Sequence, residues 1–156
     1  MSREQLLTAL RPVLQTVAAL DLKDEGAAQA LGSRYPADGE VLSQLRNLVR
    51  QGVKEGWLAD REAGGVRFSR LAKAGPDTFG LSIDVVHMNA PGPGHTHPNG
   101  EVDLCFPVEG QPTFDGRSAA WTVYPPGSWH VPSVHDGVMD ILYFLPEGAI
   151  RFEDKP

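Results

Sequence analysis

The sequence predicts a mainly β protein with an α-helical N-terminal region, its strands forming an antiparallel β-barrel or jelly roll. Three observations lead there. Apolar residues recur at helical spacing over the first 56 positions, and period-2 alternation takes over after them. Turn residues, within totals of 17 Gly and 13 Pro in 156 residues, then punctuate the chain at short intervals. The length suits one domain or one domain with a small appendage. We divide it into a helical region at 1–56, a hairpin or connection at 57–75 and a barrel at 76–156.

The elements follow in order. Ser2 and Gln5 stand in capping-box spacing, and Leu6, Leu10, Val13, Leu14 and Val17 mark one face of a first helix. Pro12 lies too deep for a first-turn proline, so the spacing predicts a kink there or a start near Leu10. A short helix is expected over Glu25 to Leu31, ending before Gly32. Asp38 reads as the N-cap of a third helix, whose apolar positions are Leu42, Leu45, Leu48, Val49 and Val53 and whose stop is Gly56. Trp57-Leu58-Ala59 and Val66 to Leu71 flank Asp60 to Gly65 as a hairpin with glycines at its turn. Phe79, Leu81, Ile83, Val85 and His87 alternate with their neighbours as one face of a strand. Short apolar runs such as Val102 to Phe106 and Val138 to Phe144 supply further strands.

Composition removes several function classes. The single cysteine, Cys105, excludes an intramolecular disulfide, the first residues carry no apolar leader, and no apolar run approaches the ~20 residues that cross a bilayer. A cytoplasmic protein without membrane partners is the expectation. The net charge of -6 is uneven: residues 1–75 carry 11 Lys/Arg against 9 Asp/Glu, residues 76–156 carry 3 against 11. That balance argues against nucleic acid as a partner.

The chemistry-bearing stretch is His95-Thr96-His97-Pro98-Asn99-Gly100-Glu101. On a strand, side chains at i and i+2 face the same way, so both imidazoles can meet at one point, and Glu101 reaches it after the turn. His130, in Pro125-Pro126-Gly127-Ser128-Trp129-His130, closes a set of three nitrogens and one carboxylate. Such a set suits one divalent metal ion, Fe, Mn, Zn, Ni or Co, and leaves the identity open. Asp103, two residues past Glu101, faces the same way as a proton shuttle or a solvated carboxylate. Cys105 continues that face and reads as a small buried residue. Tyr124 and Tyr143 can donate hydrogen bonds to a substrate or simply pack, and the three tryptophans read as packing. His87 is a substrate contact or a satisfied core histidine, and His135 a turn residue. Arg67 and Arg70 stand out in an apolar context, either as surface residues or as partners of a substrate carboxylate.

Both motifs resemble those of the cupin family: H-x-H with a following Glu, then P-x-G-x-x-H. Gly110 lies farther from Glu101 than the first motif has it, and Val134 replaces the usual Asn of the second. The resemblance implies a cupin-type jelly roll with the metal inside. A narrower likeness spans nearly the whole chain. Arg34 to Gly39, Glu55 to Phe68, His97 to Asp103 and Val123 to His130 are similar to segments of the 4-hydroxylaminobenzoate lyases. That implies conversion of 4-hydroxylaminobenzoate to protocatechuate with release of ammonia, a step of nitroaromatic degradation. Metal at His95, His97, Glu101 and His130 is then expected, with proton transfers by Glu101, Asp103, His130 or Tyr124. The substrate, a small aromatic carboxylate, is expected at Arg67, Tyr143 and His87. A homodimer is expected, because cupins often pair.

Two rivals stay open. One is a metal-dependent cupin dioxygenase or isomerase acting on another small acid. The other is a non-enzymatic sensor with a winged-helix-like front, whose recognition helix would be residues 41–54 with Arg46, Arg50 and Lys54 on one side. Three cations fall short of the basic stripe that phosphate contacts require.

Overall fold

A computed structural model describes residues 2–156. Helix α1 (Arg3–Ala18) begins at the predicted capping box, with Ser2 accepting from the Gln5 backbone and Gln5 returning the bond. It runs through Pro12 and does not start near Leu10. Pro12 and Thr8 are both exposed, so the Thr8 carbonyl that loses its helical donor faces water, where the loss is cheapest. Helix α2 (Ala27–Arg34) starts later than expected and passes through Gly32. Helix α3 (Glu40–Glu55) takes Gly39 and not Asp38 as its N-cap, and ends where predicted, on Gly56 in the left-handed region at φ 85°.

The strands are β1 (Arg61–Ala63), β2 (Val66–Ala72), β3 (Leu81–Met88), β4 (His95–His97), β5 (Glu101–Phe114), β6 (Trp121–Tyr124), β7 (Ser128–His130), β8 (Val134–Pro146) and β9 (Arg151–Phe152). The hairpin's first arm is therefore Arg61–Ala63, not Trp57 to Ala59; Leu58 and Ala59 are buried beneath α3's end instead. Six strands form one antiparallel sheet in the order β1-β2-β3-β8-β5-β6, and three form a second, β7-β4-β9. The architecture is thus a two-sheet jelly roll with helices, and its hydrogen bonding does not close into the continuous barrel expected from the strand spacing. The hairpin β1-β2 joins the large sheet through β3, so it is not the free wing of a winged helix.

The large sheet is buried on both faces. Along β5, Val102, Leu104 and Phe106 enter one core with Leu6, Leu10, Leu45 and Val49 of the helices, while Cys105 belongs to a second cluster between the sheets. Strand β8 divides the same way, Leu142 and Phe144 toward the helices, Ile141 and Tyr143 toward the other sheet. Two polar ties supplement this burial. Trp121 Nε1 donates to Tyr35 O at 3.0 Å, and Arg67 Nε donates to Ala59 O at 3.2 Å. Among the described residues no helix is long and apolar enough to cross a membrane.

Candidate metal centre

The four predicted ligands converge. His95, His97, Glu101 and His130 are all buried, and each offers an atom within 4.8 Å of every other. His95 and His97 are presented by the short strand β4, whose register sets His95 opposite His130 and His97 opposite Ser128. Thr96, between them, points away and donates to Glu153 Oε2 at 2.7 Å. Glu101 opens β5 after a turn that only glycine fits. At Gly100, φ is +88° and a Cβ would stand 2.9 Å from Tyr124 O. The glycine thereby lets Glu101 swing back toward both imidazoles.

The orientation of the rings is fixed by their far nitrogens. Nδ1 of His95 faces Pro93 O at 3.1 Å, that of His97 faces Ser128 Oγ at 3.0 Å, and that of His130 faces Asp115 Oδ2 at 2.7 Å. Ser128 Oγ itself donates to Pro125 O, so it accepts from His97. With each Nδ1 engaged, the three Nε2 atoms turn to one point: His95 and His130 Nε2 stand 3.1 Å apart, and His97 Nε2 lies 3.1 Å from Glu101 Oε2. Two facing imidazole nitrogens are held together by a shared proton or by a cation that replaces it. His97 Nε2 and both Glu101 oxygens are buried and make no hydrogen bond, which costs about 1–3 kcal/mol for each such group. A divalent cation at that point relieves the cost, and three nitrogens with one oxygen form a donor set that such ions accept.

The electrostatics separate two adjacent carboxyls. Burial opposes the charge on Glu101, yet the facing His130, His95 and His97 outweigh it and hold this carboxyl well below the usual range. Asp103, on the same face of β5, is pushed well above the usual range by burial and then by the Glu101 charge. Its oxygens are buried without partners. The two carboxyls are thus driven apart, Glu101 toward its charged form and Asp103 toward its protonated one. For His130 burial acts against the proton, but Asp115 and Glu101 prevail and raise it to about 9. The Cys105 thiol is pushed up by burial, which leaves it protonated and inert.

The remaining candidates divide. Tyr124 lies against the site, its ring 4.3 Å from that of His130 and stacked on His97 at 5.3 Å, and its hydroxyl donates to Asp115. Tyr143 is buried 6.3 Å from the His95 ring, its hydroxyl near Met88 Sδ at 3.8 Å. His87 is not in the site. It shares its face of β3 with Leu81, Ile83 and Val85, which pack toward the helices, and its Nδ1 pairs with Asp140 at 2.7 Å. Arg67 is not there either: its guanidinium is spent on Ala59 O and, at 3.5 Å, Val53 O. The neighbouring parity of β2 supplies Arg70 instead, which lines a cavity of about 740 Å³ together with Phe68, Val86, Met88, His95 and Tyr143. Asp115 escaped the sequence reading because Asp115-Gly116 looks like any tight turn; only the fold brings it under His130 and Tyr124.

A two-sheet jelly roll holding a buried three-histidine, one-glutamate cluster is a cupin-type fold with a site suited to a metal ion. The comparisons with known proteins narrow it. The family model of 4-hydroxylaminobenzoate lyase matches residues 8–152, and the chain belongs to that family. A 4-hydroxylaminobenzoate lyase of Pseudomonas putida is 33% identical over 141 residues, covering 79% of this chain and 80% of that protein. One from Nocardioides sp. (strain LMS-CY) is 33% identical over 136 residues, covering 81% and 80%. Among solved structures the chain is similar to an RmlC-like cupin protein from Ralstonia eutropha JMP134, at TM-score 0.45 and 14% identity over 60% of this chain and 62% of that one.

Proposed function

We propose that the protein converts 4-hydroxylaminobenzoate, or a close hydroxylamino aromatic acid, to protocatechuate and ammonia. The observation that carries the reading is the cavity of about 740 Å³ that joins His95 and Tyr143 to Arg70 through apolar walls. Arg70, Asp84, Tyr143 and Asp103 are successive register partners across β2, β3, β8 and β5. Strands lie about 4.8 Å apart, so Arg70 and Tyr143 are separated by roughly 10 Å at the backbone, and their side chains narrow that to the span of a para-substituted ring. Arg70 binds Asp84 through Nε at 2.8 Å and Nη2 at 3.2 Å, which orients the guanidinium and leaves Nη1 for the substrate carboxylate.

The overall reaction takes up one water and is redox-neutral. The N–O bond breaks with loss of the hydroxyl as water, a water adds at the adjacent ring carbon, and a second water replaces the C=N nitrogen, which leaves as ammonia. Proton loss from the ring then restores aromaticity. A divalent ion held by His95, His97, Glu101 and His130 supplies Lewis acidity toward oxygen. Asp103, whose protonated form burial and the Glu101 charge favour, is the proton donor to the departing hydroxyl. Tyr143, whose hydroxyl burial pushes up and so keeps protonated, donates a hydrogen bond to the substrate nitrogen. Asp115 holds His130 and Tyr124 in position.

Anaerobic turnover of 4-hydroxylaminobenzoate tests the reading. Equal amounts of ammonia and protocatechuate are expected without oxygen uptake; oxygen-dependent turnover without ammonia would replace it with the dioxygenase. Arg70→Gln is expected to raise KM about 10- to 100-fold with kcat less affected, the signature of a lost ground-state contact.

A further inference from the structure

Arg46, Arg50 and Lys54 stand at i, i+4 and i+8 on α3, one above another on a single face. They line a hollow of about 640 Å³ on the helix side of the large sheet, the side away from the metal ligands. Its other walls are His87 of β3, Phe106 to Glu109 of β5, and Val138 and Asp140 of β8. At its base Asp140 is 1% exposed. This carboxylate accepts from His87 Nδ1 at 2.7 Å and faces Arg50 Nη1 at 3.5 Å.

These contacts leave donors over. Arg50 Nε is buried and has no hydrogen-bond partner, although the Asp140 contact fixes the guanidinium that carries it. His87 gives its Nδ1 proton to Asp140, and its Nε2 is then an acceptor that adds no donor to the hollow. Among the described residues Arg46 and Lys54 form no ion pair, so three cations meet one buried carboxylate and Glu109 at the edge. In a chain of net charge -6 this is a local reversal of sign. A concave site with a buried guanidinium edge and two free cations matches the geometry of an oxyanion, whose oxygens accept several donors at once. A nucleic-acid strand needs an extended basic stripe, and the acidic back half of the chain opposes one.

We propose that this hollow binds a small oxyanion, a phosphate or carboxylate group, at Arg50 with Arg46 and Lys54, separately from the metal cavity. The site does not depend on the lyase reading, since none of its residues touches that cavity. Occupancy joins α3 to β8 through Arg50 and Asp140, so it stabilises the folded chain by mass action.

Thermal unfolding of the full chain in sodium phosphate and, separately, sodium acetate, each against sodium chloride at matched ionic strength, tests the proposal. A saturable rise in Tm beyond that in chloride is expected with at least one probe. Phosphate alone identifies a phosphate site, acetate alone a carboxylate site. The midpoint is expected to weaken at least about tenfold in Arg46→Ala/Lys54→Ala, whose exposed side chains leave folding and ammonia release intact, and likewise in Arg50→Gln. No rise beyond chloride, or a rise unchanged in both variants, overturns the site.

Discussion

The two faces of the large sheet are both buried and are built on opposite terms. Toward the helices, Val102, Leu104, Leu142 and Phe144 fill a continuous apolar core. Toward the second sheet, the alternate positions of the same strands place Glu101, Asp103 and Tyr143, and the two carboxyls there have oxygens without partners. One face lowers the free energy of the chain by removing apolar surface from water. The other is costly as it stands, and its cost is concentrated on the carboxyls of the candidate metal centre. The fold is held by the first face, and the chemistry is stored on the second.

Substitutions on the two faces should therefore separate stability from metal binding. Glu101→Gln, on the cavity face, is expected to weaken metal binding by more than about a hundredfold and abolish ammonia release, while Tm of the chelator-treated protein hardly falls. Elemental analysis and calorimetry of the same sample check it; a large loss of Tm with metal retained would dissolve the distinction. Phe144→Ala, on the helix face, is expected to cost about 3–5 kcal/mol of stability in denaturant titration while the folded fraction keeps its metal. Asp115→Asn sharpens the comparison at the site's edge. With the charge beneath His130 removed, metal affinity should fall about 10- to 100-fold, read by competition with a chelator.

The smallest effect is a proton. Asp115 and Glu101 hold the His130 proton up to about 9, so metal uptake at about pH 7 is expected to expel it. Glu101, held low, gives up none. Titration calorimetry in buffers of different ionisation enthalpy is expected to show roughly one proton released at neutral pH, with release vanishing as pH rises through about 9. Unchanged release across that range would remove the Asp115 and Glu101 contacts from the account.

The same comparison explains what the sequence could disclose. The ligands were legible because His95, His97 and Glu101 sit within seven residues and His130 follows a Pro-Pro-Gly turn. Alternation showed that strands existed, but not which face was which. An apolar face normally points into a barrel, and here the most apolar one, Leu81, Ile83 and Val85, packs against helices. His87, read by that parity as a possible substrate contact, consequently lies on the helix side, while Arg67 and Arg70 stood out only as charges in an apolar context, which could not say that Arg67 binds Ala59 O and Arg70 lines the cavity. Asp115 and Asp140 are tertiary features: each is defined by a histidine on another strand, and no local pattern announces either. The helix boundaries at Pro12 and Gly32 departed from propensity because buried faces, Leu10 with Val13 and Ala27 with Leu31, held the chain helical past weak formers.

Equilibrium dialysis of chelator-stripped protein against a divalent metal tests the central claim most directly. One tightly held ion per chain is expected for the natural sequence and none for His95→Ala/His97→Ala. Retention of a full equivalent by that variant, or no uptake by the natural chain, would contradict it.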